Sequence, residues 1–215
     1  MSNGDLITTS HMYPVICWRK DSKENFFEYK ILTEEKPYIK NAVNIIHLPN
    51  NEFTFTSNSW PSIKFFKFDI NNIKDNYTLI KDMRLNCSAK TNTLALYKKE
   101  FIIVPLNFDQ LCLIDVKNKE IVSKINGINL QYLFIRNNGD ILMRGYYQNN
   151  NQRLNIYRFK EGELVFSGIL QNKLQISVEE IMENEDGKLY ISGYEYNFNG
   201  NEKENKINKI YLLNK

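Results

Sequence analysis

Catalysis needs particular side chains at particular spacings, and this chain offers few. Its only histidines are His11 and His47. His47 stands in the apolar run Ile45-Ile46-His47-Leu48. There the expected outcome is a histidine satisfied at a strand edge rather than a general base. Neither histidine has a Cys, Asp or Glu nearby at the spacing a zinc ion requires. Cys17, Cys87 and Cys112 are widely separated, and no pair has metal-type spacing. Cys112 lies inside the apolar run Gln110–Val116 and reads as a small buried hydrophobe. Nucleophile-elbow, phosphate-loop and dinucleotide-binding fingerprints are all missing. The sequence therefore assigns no catalytic residue, no metal site and no cofactor.

Two weaker patterns have bland explanations. Asn184-Glu185-Asp186-Gly187 has a calcium-loop flavour. Setting Gly187 at the sixth loop position, however, puts Met182 first and Gly193 last, where carboxylates are most needed. A hairpin turn accounts for the segment better. Lys64-Phe65-Phe66-Lys67 interleaves basic and aromatic residues, as a single-strand nucleic-acid groove does. In strand register the same rings belong to a core.

The elements that would position any site are strands. Four tight polar turns recur: Asn50-Asn51-Glu52-Phe53, Lys98-Lys99-Glu100-Phe101, Asn138-Gly139-Asp140-Ile141, and Glu185-Asp186-Gly187-Lys188-Leu189. They sit roughly 40–50 residues apart, the period of propeller blades. Around them the chain divides into five strand sets. The first is Asp5–Ser10, Pro14–Arg19, Phe26–Leu32 and Pro37–Val43, with Asp5–Ser10 in the leading place. The last holds only Val178–Met182, Lys188–Tyr196 and Lys206–Leu213. Phe53-Thr54-Phe55-Thr56 alternates as a strand does, whereas Phe101-Ile102-Ile103-Val104 is apolar on both faces. Asn138-Gly139 and Asp186-Gly187 supply the positive φ that hairpin turns require.

Composition sets the outer limits. The chain has 215 residues, 42% hydrophobic and 25% charged, which is globular rather than disordered. A net charge of +3 from 28 basic and 25 acidic residues is too balanced for a dedicated nucleic-acid or membrane-surface protein. No apolar run reaches membrane-spanning length. No secretory leader is visible at Met1-Ser2-Asn3-Gly4-Asp5. With three sparse cysteines, a cytoplasmic setting is expected.

The segment Gln110–Gly127 is similar to the hairpin that closes a WD40-like propeller repeat: an apolar strand ending in Asp, a short turn, and a second apolar strand. Ile63–Asp69 with Tyr77–Met83, and Leu154–Lys160 with Glu163–Leu170, follow the same layout. The resemblance is one of layout, because the family's Gly-His and Trp-Asp signatures are missing. It implies an all-β chain: a WD40-like β-propeller of about five four-stranded blades, complete or lacking a strand. The blades fall at 1–43, 44–83, 84–127, 128–172 and 173–215 of one domain. A β-sandwich or barrel is the alternative.

The function that this resemblance implies is a non-enzymatic scaffold presenting blade loops to a protein partner. Trp60, Phe108 and Tyr147, in successive loops between second and third strands, are the expected anchors. The alternatives are a hydrolase or lyase with its site in a central channel, drawing on residues such as Asp109 and Arg144, or a weak nucleic-acid module.

Overall fold

The computed structural model describes residues 4–8, 15–32, 42–57, 62–69, 71, 77–85, 94–106, 110–126, 132–146, 152–160, 163–174, 177–197 and 205–213. Every element among them is a β-strand, and consecutive strands pair antiparallel into five separate meanders. The chain falls into two compact units, Met1–Asn126 and Gly127–Lys215.

The first unit holds three sheets. The first sheet is β1 (Leu6–Thr8), β2 (Ile16–Lys20) and β3 (Phe26–Ile31). The second is β4 (Ala42–Leu48), β5 (Glu52–Ser57), β6 (Ser62–Phe68) and β7 (Tyr77–Arg84). The third is β8 (Ala95–Tyr97), β9 (Phe101–Leu106), β10 (Gln110–Asp115) and β11 (Glu120–Asn126). The second unit holds two. The fourth sheet is β12 (Tyr132–Ile135), β13 (Ile141–Tyr146), β14 (Gln152–Lys160) and β15 (Glu163–Leu174). The fifth is β16 (Ser177–Glu183), β17 (Leu189–Asn197) and β18 (Asn205–Leu213).

Middle strands of the second and third sheets are apolar on both faces because both faces are covered. On one side of the second sheet, Phe53, Phe55, Phe66, Phe68 and Tyr77 pack with Val15, Cys17 and Leu32 of the first. Phe66 stacks between Phe53 and Phe55, with centroids 5.4 and 5.5 Å away. On the other side, Leu48, Ile63, Phe65 and Met83 meet Ile102, Val104, Cys112 and Ile114 of the third. Each such ring or branched side chain contributes roughly 1.5–3 kcal/mol when fully buried. The hydroxyl face of β5 is buried as well: Thr54 is inaccessible, and its Oγ1 donates to the Lys64 carbonyl at 2.9 Å. Fourth strands behave differently. β11 alternates exposed and half-buried residues along its whole length, as an outermost strand does.

In the second unit, Leu142 and Leu154 of the fourth sheet pack with Val178, Ile181, Leu189 and Ile191 of the fifth.

The first sheet differs from its expected arrangement. The sequence pattern predicts Asp5–Ser10 as a leading strand, but β1 takes the second-strand place. Gly4, one residue ahead of β1 across Asp5, has φ +84°, as Gly139 does one residue ahead of β13. Its last strand, β3, opens with three exposed residues in the manner of an outer strand. Of the segment expected as a fourth strand, Ala42-Val43 open β4 and the rest lies outside the described residues.

Candidate functional site

One position recurs at the head of every second strand. A residue with positive φ is followed by a polar residue and then an apolar one: Gly4-Asp5-Leu6, Asn51-Glu52-Phe53, Lys99-Glu100-Phe101, Gly139-Asp140-Ile141 and Gly187-Lys188-Leu189. The polar residue is acidic in four of the five. Its surroundings change from sheet to sheet, and the change separates acids held within their own sheet from one that lines a cleft.

In the first sheet the acid is locked. Asp5 is 4% exposed. Arg19 Nε and Nη2 donate to its two oxygens at 3.0 and 2.8 Å, and Tyr77 Oη of the second sheet donates to Oδ2 at 2.7 Å. The Arg19 guanidinium also lies 3.6 Å from the centre of the Tyr29 ring. Beside Asp5, burial pushes the Cys17 thiol up to about 11, so it stays protonated and inert near neutral pH. Burial likewise raises the Tyr77 phenol far above its ordinary range. Asp140 heads β13 in the same way. Arg158 donates to it at 2.6 and 3.2 Å and Asn138 Nδ2 at 3.1 Å, and the Arg158 hydrogen bonds hold its carboxyl below the usual value.

Glu52 departs from this pattern. Its cross-strand neighbour is Lys67, the counterpart of Arg19 and Arg158, yet Glu52 pairs instead with Lys119 of the third sheet at 2.8 Å. Both side chains retain some access to solvent, 14% for Glu52 and 15% for Lys119. They line a cleft of about 460 Å³ whose wall also carries Lys99, Glu100, Asp115 and Lys117. Three turns build it. Asn50-Asn51 and Lys98-Lys99 are two-residue turns with both central residues at positive φ, closed by Glu52 N–H to Pro49 O at 3.3 Å and Glu100 N–H to Tyr97 O at 3.0 Å. The third turn runs Asp115–Lys119, where Asp115 Oδ1 accepts from Asn118 N–H at 2.6 Å and Lys119 has φ +55°. Lys119 Nζ is further steadied by the Val116 carbonyl at 3.5 Å and the Phe65 ring centre at 5.9 Å.

Chemically, the cleft presents a carboxylate next to an ammonium group. A carboxylate there can take a proton from water, and an ammonium can face negative charge developing on a carbonyl oxygen. Sequence reasoning saw Glu52 as a turn residue and did not single out Lys119. The usable signal was the acid that follows the turn in four of the five sheets, with a basic residue opposite Glu52 at Lys67.

The residues singled out beforehand fare differently. Trp60, Phe108, Tyr147 and Asp109 lie outside the described residues. Arg144 is 8% exposed in the middle of β13 and donates through Nη1 to the Val178 carbonyl. It ties the fourth sheet to the fifth rather than standing at a channel mouth. Phe65 and Phe66 are core, so the Lys64–Lys67 segment offers no stacking platform. His47 is exposed on β4. Cys112 is fully buried, as its apolar run implied. Asn184–Gly187 forms a turn, with Gly187 N–H donating to Asn184 O at 3.0 Å.

No family model and no curated protein matches the chain in sequence. Solved structures do match in shape. A Bacteroides fragilis protein described as a "putative 6-phosphogluconolactonase" overlays 93% of this chain and 67% of its own length, with a TM-score of 0.63 at 9% identity. A Bacteroides uniformis protein of the same description overlays 99% of this chain and 69% of its own, with a TM-score of 0.66 at 10% identity. The WD40 β-propeller domain of Doa1 overlays 90% of this chain and 58% of its own, with a TM-score of 0.59 at 15% identity. The chain thus spans about two thirds or less of these propellers. At such identities the likeness shows the fold: an all-β, propeller-type chain with several four-stranded antiparallel sheets.

The expectation of a non-enzymatic scaffold is corrected by these comparisons. It rested on blade layout alone, and the same layout is shared by propellers described as lactonases. The cleft between the second and third sheets carries Glu52, Lys99, Glu100, Asp115, Lys117 and Lys119, with Phe101 its one aromatic lining residue. Among the described residues no helix is long and apolar enough to cross a membrane.

Proposed function

We propose that the chain is a hydrolase that opens lactone rings, working in the cleft between the second and third sheets. The observation that carries this reading is the Glu52–Lys119 pair, 2.8 Å apart on the wall of that cleft, where the equivalent acids Asp5 and Asp140 are bound by an arginine of their own sheet. The description shared by two propellers of like shape supports the choice of reaction.

Glu52 takes a proton from water, and the water oxygen adds to the lactone carbonyl. Lys119 has three N–H donors, so one can face the tetrahedral oxyanion while another stays on Glu52. Collapse breaks the ring C–O bond. The proton held by Glu52 passes to the departing alkoxide, and the product is an open hydroxy acid. Lys99 and Lys117 on the cleft wall suit an anionic substituent such as a sugar phosphate. The cysteines Cys17 and Cys112 are buried and form no disulfide, which accords with an intracellular setting.

A panel of sugar lactones, with and without a phosphate, tests the reading by continuous measurement of acid release. Opening well above the spontaneous rate, favouring phosphorylated members, is the expected result. If no lactone opens faster than in buffer, the reading fails.

A further inference from the structure

Glu100 holds in the third sheet the place that Asp5, Glu52 and Asp140 hold in theirs, but its neighbour across the hairpin is of another kind. In the other three sheets the paired strand supplies a base: Arg19 binds Asp5, Lys67 stands opposite Glu52, and Arg158 binds Asp140. Opposite Glu100 stands Val116, whose N–H donates to the Glu100 carbonyl at 2.8 Å. A valine brings no charge, and among the described residues no ion pair reaches the Glu100 carboxylate. The side chain is exposed on the wall of the cleft that Glu52 and Lys119 share.

Its two chain neighbours line the same wall. Lys99 has φ +60° at a turn position filled by Gly4, Asn51, Gly139 and Gly187 in the other sheets. Lysine enters that conformation at higher cost than glycine or asparagine, so something other than turn stability favours it here. Phe101 contributes a half-buried aromatic ring. On the wall as a whole, Lys99, Lys117 and Lys119 balance Glu52, Glu100 and Asp115, so the charges call for no cation at Glu100. What a carboxylate accepts in such a place is a neutral donor. Its two oxygens offer about four lone-pair sites, enough to take two adjacent hydroxyl groups at once, and bonds to an ionised acceptor are the stronger kind.

We propose that Glu100 is a specificity-determining residue of the cleft. It accepts hydrogen bonds from adjacent hydroxyl groups of a polyhydroxylated ring, whose carbon face lies against Phe101. This deepens the lactone reading by naming the residue that selects the ring, and it rests on that reading for the identity of the site.

The test uses the full chain and two pairs of probes. Anhydroglucitol is the glucose ring with its anomeric carbon reduced to a methylene, so nothing in it can be opened, and tetrahydropyran is the same ring without hydroxyl groups. Binding is followed through the amide resonances of residues 99–101. Wild type is expected to prefer anhydroglucitol, and Glu100→Gln to reduce that preference about tenfold or more, the effect of losing hydrogen bonds to a charged group. The kinetic pair is gluconolactone and valerolactone, six-membered lactones with and without hydroxyl groups. The ratio of their kcat/KM values is expected to fall about tenfold or more in Glu100→Gln, through a raised KM for gluconolactone. Dividing one lactone by the other removes any general loss of folded protein. Three results overturn the proposal: anhydroglucitol unbound by wild type, the same preference in Glu100→Gln, or an unchanged kinetic ratio. Binding of anhydroglucitol that depends on Glu100, with neither lactone opened, would support Glu100 as the ring-selecting residue and sink the hydrolase reading alone.

Discussion

Two junctions between successive sheets are both built from hairpin turns that bring a carboxylate to a basic side chain, and they end differently. Where the fourth sheet meets the fifth, Arg136 donates to Glu183 Oε1 at 3.0 and 2.8 Å and to the Gly187 carbonyl at 3.1 Å, while Asn137 N–H donates to Glu183 Oε2 at 2.6 Å. The ion pair is almost inaccessible, at 6% and 3% exposure. Where the second sheet meets the third, Glu52 and Lys119 also pair, but on the wall of a cleft. The first junction spends its charges on closure, and the second leaves a carboxylate and an ammonium within reach of a ligand. Similar pairs of residues thus serve stability in one place and are available for chemistry in the other, and the difference lies in how many additional donors surround each carboxylate.

The contrast can be broken or sharpened by substitution. The largest effect is expected from Arg136→Ala, which leaves Glu183 buried without its guanidinium. A loss of about 3–5 kcal/mol is expected for breaking such a pair, read from urea unfolding of the second unit's signals. A loss under about 1 kcal/mol would place this pair with ordinary surface ion pairs. Next comes Tyr77→Phe, which removes one donor from the locked Asp5 carboxylate. A loss of about 1.5–3 kcal/mol is expected by the same measurement, since the hydrogen bond is to a charged group.

A smaller effect of opposite sign is expected at the cleft turns. Asn50-Asn51 and Lys98-Lys99 adopt the same left-handed pair of conformations, with φ of 62° and 58° against 50° and 60°. Asn enters that region at lower cost than Lys. Replacing Lys98 by Asn and Lys99 by Gly together should raise stability by about 1 kcal/mol. An unchanged unfolding midpoint would mean that the lysines are not strained.

The smallest effect is pH-dependent. Arg158 holds the Asp140 carboxyl below its ordinary value. A group depressed in this way adds stability above its unfolded value of about 3.9 and loses it as pH falls through its lower folded value. Arg158→Ala should therefore flatten the acid limb of the stability profile and leave the curve above about pH 5 the same shape. A variant with an unaltered acid limb would contradict this assignment.

Much of the fold was legible in the sequence because strands and turns are local. Asn138-Gly139 and Asp186-Gly187 marked their hairpins, and the two-sided apolar run Phe101–Val104 marked a covered strand. The first sheet was misplaced by one strand because Gly4-Asp5 had to be recognised as the end of a turn from a single positive-φ glycine. The site was not legible, because it depends on which of two basic residues Glu52 chooses. Lys67 is opposite it in the same sheet and Lys119 is in the next, and only packing between sheets decides.

The most direct test compares lactone opening by wild type and Glu52→Gln, with unfolding midpoints measured alongside. The account predicts a loss of about a hundredfold or more in rate, within the range for removing a general base, with little change in stability because the pair is partly solvated. A variant that opens the lactone as fast as wild type would contradict it.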